Sequence, residues 1–228
     1  MIPLLFTENM KLADVINANH HLILILNRFG IKFGFGEKTV AEVCETYHIS
    51  TSFFLMVCNV YSFKHYQPNT SVLALSDIPF LISYLQLSHH YYLNERLSLI
   101  KDSLYKIAKG AGTKYGTSLQ VFFDEYEQEV IEHFDYEEKT VFPYIAQLMK
   151  GEKNTDYSID CFRSIHSNIE DKLSDLISIL IKYLPSDIMH NERVEVLNDI
   201  FHLTEDLNKH SLIEEKILVP FVESLEKE

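Results

Sequence analysis

Histidine and glutamate recur in this chain at a spacing that suits metal binding. His133-Phe-Asp-Tyr-Glu137-Glu138-Lys139-Thr-Val-Phe-Pro143 returns as His210-Ser-Leu-Ile-Glu214-Glu215-Lys216-Ile-Leu-Val-Pro220, with five of the eleven positions identical. The offset is 210 − 133 = 77 residues. Four steps along a helix overshoot one turn by only about 40°, so each His shares a face with its Glu. Two such pairs can aim four ligands into one space. A second pair of histidines sits at nearly the same offset, 166 − 90 = 76 residues. His89 and His90 cannot both face inward, because helical neighbours diverge by about 100°. The repeat distance favours His90, with His89 as the alternative. The expected ligand set is His90, His133, Glu137, His166, His210 and Glu214.

Imidazole and carboxylate together suit iron, manganese or zinc. Four histidines supply two nitrogens to each of two metals. Two bridging carboxylates and one shared oxo or hydroxo bring each metal to five ligands, leaving an octahedral position open to O2, NO or peroxide. Glu170 lies four residues after His166, at ligand or outer-sphere spacing. Glu138 and Glu215 read as solvated beside Lys139 and Lys216, with an outer-sphere role open to either. His20, His21, His48, His65, His190 and His202 read as surface or satisfied core residues.

The elements that must carry these residues are helical. Four long stretches are expected at about 76–109, 116–150, 157–184 and 187–226, broken at Lys109-Gly-Ala-Gly112, Gly151-Glu-Lys-Asn154 and Leu184-Pro-Ser186. Short loops between long helices imply an all-α, up-down-up-down four-helix bundle. Ser76 is the expected cap of the first stretch, with Pro79 in its first turn. Pro143 and Pro220 fall late in their helices and are expected to kink or end them. Residues 1–70 read as a small helical N-terminal domain ahead of the bundle at 71–228. In it, Leu12 to Phe29 forms one apolar helical stretch, Thr39 caps a helix running to about His48, and Ser50 or Thr51 starts the next.

Composition narrows the function classes. Only 7 Gly and 6 Pro interrupt 228 residues, which favours helices throughout. A net charge of −13 repels phosphate backbones and argues against nucleic acid as a partner. Cys44, Cys58 and Cys161 form no Cys-x-x-Cys, so neither a disulfide framework nor a thiolate metal site is indicated. The N-terminus has no basic segment of a secretory signal, and no run approaches the ~18 apolar residues of a membrane span. The chain reads as cytoplasmic, with no membrane partner.

Taken with Ser88-His89-His90-Tyr-Tyr-Leu and Ser164-Ile-His166, the repeated motifs resemble the four metal-bearing helices of the hemerythrin-like (HHE cation-binding) family. The resemblance covers almost the entire chain. It is stronger to the repair-of-iron-centres group, di-iron proteins that restore iron–sulfur clusters after nitrosative or oxidative damage. It implies two non-haem irons, oxo- or hydroxo-bridged. His90, His133, His166 and His210 would be terminal ligands, and Glu137 and Glu214 bridges. Oxygen-carrying hemerythrins use a fifth His; the sequence His166-Ser-Asn-Ile-Glu170 offers none there. Leu12-Ala-Asp-Val, Arg28-Phe-Gly-Ile-Lys-Phe33 and Lys38-Thr-Val-Ala-Glu-Val-Cys44 resemble the group's N-terminal domain. That domain usually carries a Cys-Cys pair in its turn, where this chain has Gly34-Phe35-Gly36. The resemblance implies stress defence through iron donation or NO/O2 handling, with damaged iron–sulfur proteins as partners and room for a homodimer. Alternatives are an O2, NO or iron sensor or store, a di-iron NO or peroxide reductase, and a metal-free interaction bundle. Whether the chain is an enzyme stays open at this point.

Overall fold

A computed structural model describes residues 5–152, 157–165, 169 and 171–227. Among the described residues the chain is helical, without strands; one isolated bridge joins Lys11 and Thr39. The all-α expectation holds. No helix among these residues is long and apolar enough to cross a membrane. The chain divides into two compact units, 1–88 with 145–159 and 209–228, and 89–144 with 160–208.

The first unit contains α1 (Leu12–Ala18), α2 (Leu22–Arg28), α3 (Val40–Thr46), α4 (Thr51–Ser62) and most of α5 (Ile78–Tyr91). The expected single helix from Leu12 to Phe29 is broken at Asn19. Its side chain accepts the His21 N–H at 3.1 Å and donates to Ser62 Oγ at 2.9 Å. Asparagine here offers the backbone a local alternative to helical bonding. Thr39 caps α3 as expected, in a capping box with Glu42. Ser50 caps α4 by accepting the Phe53 N–H. Ahead of α5, Asp77 closes the short turn Leu75–Asp77 by accepting the Ala74 N–H at 2.9 Å. The chain start is pinned where Asn59 exchanges two hydrogen bonds with the backbone of Phe6. Burial of Leu12, Val15, Leu22, Ile25, Leu26, Val40, Phe53, Phe54 and Val57 supplies the apolar stabilisation.

The second unit is built around α6 (Leu97–Tyr136), which is two helices folded back at Gly112. Gly112 has φ 69° and ψ 179°, a conformation that glycine adopts without steric cost. The two arms are cross-braced: Lys101 pairs with Asp124 at 3.0 Å and Glu127 at 2.5 Å, and Tyr105 donates to Asp124. Ile100, Leu104, Phe123, Val130 and Phe134 from these arms pack with Leu173, Leu176, Val196, Ile200 and Leu203 from α9 (Asp171–Ser178) and α10 (His190–Ile213). Between α6 and α7 (Phe142–Leu148) the helix widens into a π-turn over Glu137–Val141; the same happens at Glu214–Leu218, between α10 and α11 (Val219–Glu226). Pro143 and Pro220 were expected to kink or end their helices. Neither helix ends at its proline; each continues past it, with the wide turn placed just before.

Candidate metal centre

In the second unit, two histidines converge on one carboxylate. Glu137 is fully buried; its Oε2 stands 3.0 Å from His89 Nε2 and its Oε1 2.8 Å from His133 Nε2. His133 reaches it from one turn earlier on the same helix, as the spacing requires. His89 comes from α5. Its ring stacks on Phe134, centroids 4.1 Å apart at 13°, and lies nearly parallel to Phe142 at 5.8 Å. Its other nitrogen, Nδ1, meets Glu138 Oε1 at 2.9 Å. In the first unit the repeated pair behaves alike: His210 Nε2 stands 3.1 Å from Glu214 Oε1, with both side chains buried.

Among the described residues neither oxygen of Glu137 has a hydrogen-bond partner, although two ring nitrogens lie within 3.0 Å. A buried carboxylate so placed is costly unless a cation or proton compensates it. The distances fit a cation. Bonds of about 2.0–2.2 Å meeting at a right angle place two donor atoms about 3 Å apart. Within the second unit, His89 and His133 thus bring two ring nitrogens to the one carboxylate of Glu137. A buried set of nitrogen and oxygen donors therefore fits a first-row metal.

The structure reverses one expectation. His90 is exposed, and it is His89, 3% exposed, that faces Glu137. The signal for this was present in the sequence: Ile78, Leu81, Leu85, His89 and Tyr92 form one stripe at helical spacing, and His90 lies off it. His166 and Glu170 lie outside the described residues. Glu215 is exposed, as expected, but Glu138 is half-buried and turned onto His89, contrary to its reading as a solvated residue. Phe134 and Phe142, which border the His89 ring in nearly parallel planes, carry no mark of that role in the motifs. His20, His48, His65, His190 and His202 are exposed and His21 is half-buried.

The thiols take no part in this set. Cys44 and Cys58 are buried, and burial pushes the Cys44 thiol up to about 11 and the Cys58 thiol higher than its ordinary range. The turn that carries Gly34 and Gly36 is exposed, with Phe33 at its edge.

The chain is 25% identical over 221 residues to the iron-sulfur cluster repair protein ScdA of Staphylococcus haemolyticus (strain JCSC1435), an alignment covering 94% of this chain and 98% of that protein. No solved structure matches the chain. The pattern of the hemerythrin HHE cation binding domain matches residues 82–222, the stretch that contains every histidine and glutamate of the buried set. With that match over more than half of its length, the chain belongs to the hemerythrin HHE cation-binding family.

Proposed function

We propose that this chain is a non-haem di-iron protein of nitrosative and oxidative stress defence that takes part in the repair of iron–sulfur clusters. The observation that carries this reading is Glu137: buried, without a hydrogen-bond partner among the described residues, and faced by two imidazoles at 3.0 and 2.8 Å. The similarity along 94% of the chain to a protein named for cluster repair supplies the direction of the function. The proposed ligands are His89, in place of His90, with His133, Glu137, His166, His210 and Glu214.

Bound iron would supply redox change and open positions for O2, NO or peroxide. The residues supply the rest. Glu137 and Glu214 bring two buried negative charges that offset the charge of the cations. His89 and His133 present ring nitrogens at fixed positions along two helices. Phe134 and Phe142 border the His89 ring and keep that side apolar. Histidine and carboxylate hold iron less irreversibly than thiolates, which suits donation. Because Cys44 and Cys58 are buried and stay protonated, iron handling rests on nitrogen and oxygen donors.

The test is metal analysis of anaerobically purified protein, followed by transfer to an apo iron–sulfur protein. About two irons per chain in the wild type, a marked loss in Glu137→Gln, and reconstitution of the acceptor are expected. A chain that purifies without iron and cannot be loaded with Fe(II) would overturn the reading. A chain that keeps its iron in the presence of the acceptor would retain the metal centre and lose the repair role.

A further inference from the structure

His89 is gripped on both edges of its ring. Nε2 faces Glu137 at 3.0 Å and Nδ1 meets Glu138 at 2.9 Å. Phe134 and Phe142 lie parallel to the ring and fix its plane, so rotation within that plane is left to the two carboxylates. A neutral imidazole has one N–H and one lone pair. A carboxylate faces each nitrogen; with a cation bound at Nε2 the lone pair goes there, and the N–H is left to Nδ1, where Glu138 accepts it. Glu138 itself is unsuited to the set: its side chain is 31% exposed and touches the far edge of the ring.

We propose that Glu138 is a positioning residue, which holds His89 as the Nδ1–H tautomer and so presents Nε2 as the donor atom. The inference rests on the metal reading above, because Glu137 faces Nε2 about as closely as Glu138 faces Nδ1, and a cation at Nε2 is what leaves the N–H to Nδ1. It also distinguishes the two copies of the repeat. Glu215 occupies the same place in the second Glu-Glu-Lys, and it is exposed. One of two similar motifs thus carries an orienting carboxylate, which no reading of the repeat alone would assign.

The experiment uses full-length protein and the variants Glu138→Ala, Glu138→Gln and Glu215→Ala. In protein labelled with 15N-histidine and loaded with diamagnetic Zn(II), long-range 1H–15N correlation reads the tautomer of His89, assigned by its loss in His89→Gln. In Fe(II)-loaded protein, transfer to a colorimetric chelator reads the rate of iron loss. Wild type is expected to show the Nδ1–H form, and Glu138→Ala a shift toward Nε2–H. Iron loss is expected to quicken about 10–100-fold in Glu138→Ala, the usual scale for losing an orienting partner. Glu138→Gln, whose amide oxygen still accepts from Nδ1, is expected to recover most of the difference. Glu215→Ala is expected to match wild type. An unaltered tautomer in Glu138→Ala, or equal quickening in Glu215→Ala, would overturn the proposal. If wild type binds no iron, the metal reading fails and this inference with it; if wild type binds iron and Glu138→Ala loses it no faster, the metal reading stands and this inference alone fails. Because Glu138 is partly exposed, its truncation opens no buried cavity, and circular dichroism checks that each variant is folded.

Discussion

Glu137 opens a π-turn that closes just before Pro143, and Glu214 stands in the same relation to Pro220. In a regular α-helix, proline lacks the N–H owed to the carbonyl four residues back, and its ring crowds that carbonyl. The wider turn relieves this crowding, so the helix continues to Leu148 in one case and Glu226 in the other. π-turns of this kind occur often at functional sites. Here they set the angle at which each glutamate leaves its helix.

Replacing Pro143 by Ala removes the demand for a wide turn. The segment is then expected to relax toward regular α-helix and rotate Glu137 relative to His89. Helical content should stay unchanged while Fe(II) loss to a chelator quickens several-fold. Equal rates in the variant and wild type would show that packing alone, not the proline, holds the turn. That outcome has a basis in the structure, since Tyr92–Arg96 forms a π-turn with no proline in it.

Gly116 has no room for a side chain. A methyl group there would run into the carbonyl of Ala108, on the opposite arm of the turn at Gly112. Because the obstacle is backbone, it cannot simply swing aside. Gly116→Ala is expected to cost about 1–3 kcal/mol through forced backbone shifts. Urea unfolding of the two proteins measures it, and a difference under about 0.5 kcal/mol would show that the two arms separate freely.

Asp124 links stability to pH. The Tyr105 hydroxyl, and then the Lys101 ammonium, hold its carboxyl below the ordinary carboxylate range. A folded-state value below the unfolded one adds stability that is present above the unfolded value and lost as pH falls through the folded one. Asp124 is 47% exposed, so solvent screening keeps the effect under about 1 kcal/mol. Asp124→Asn is therefore expected to be slightly less stable than wild type at pH 7. The gap should close as pH falls through the folded-state value, below the ordinary carboxylate range. A gap that persists at low pH would assign the effect to packing rather than charge.

The three cysteines should separate by accessibility. Cys161 is half-exposed, while Cys44 and Cys58 are buried. With Cys44 at about 11 and Cys58 also raised, their thiolates are scarce at pH 8. A disulfide reagent should label Cys161 in the folded protein and all three residues in denaturant, as read by intact mass. Rapid labelling of Cys44 in the folded state would reopen a thiol role for the N-terminal segment.

Much of the fold was legible because helical signals are local. Thr39 and Ser50 announced their helices through capping chemistry, and Gly112 and Gly151 marked the turns at positive φ. Asn19 was missed because its competing bonds, one of them to Ser62, are made only once α4 is in place. The same holds for Glu138: its neighbours in sequence suggest a solvated residue, and only the approach of α5 brings His89 to it.

The sequence by itself determined the two His-x-x-x-Glu pairs, since helix geometry puts residues four apart on one face whatever surrounds them. Tertiary structure decided which of His89 and His90 turns inward, and that Glu138 faces a ring nitrogen while Glu215 faces solvent. It also buried Glu137 with no hydrogen-bond partner among the described residues, leaving a carboxylate for a cation to offset. Period fixes which residues share a face. Packing fixes what each face meets, and with it the chemistry of the carboxylates.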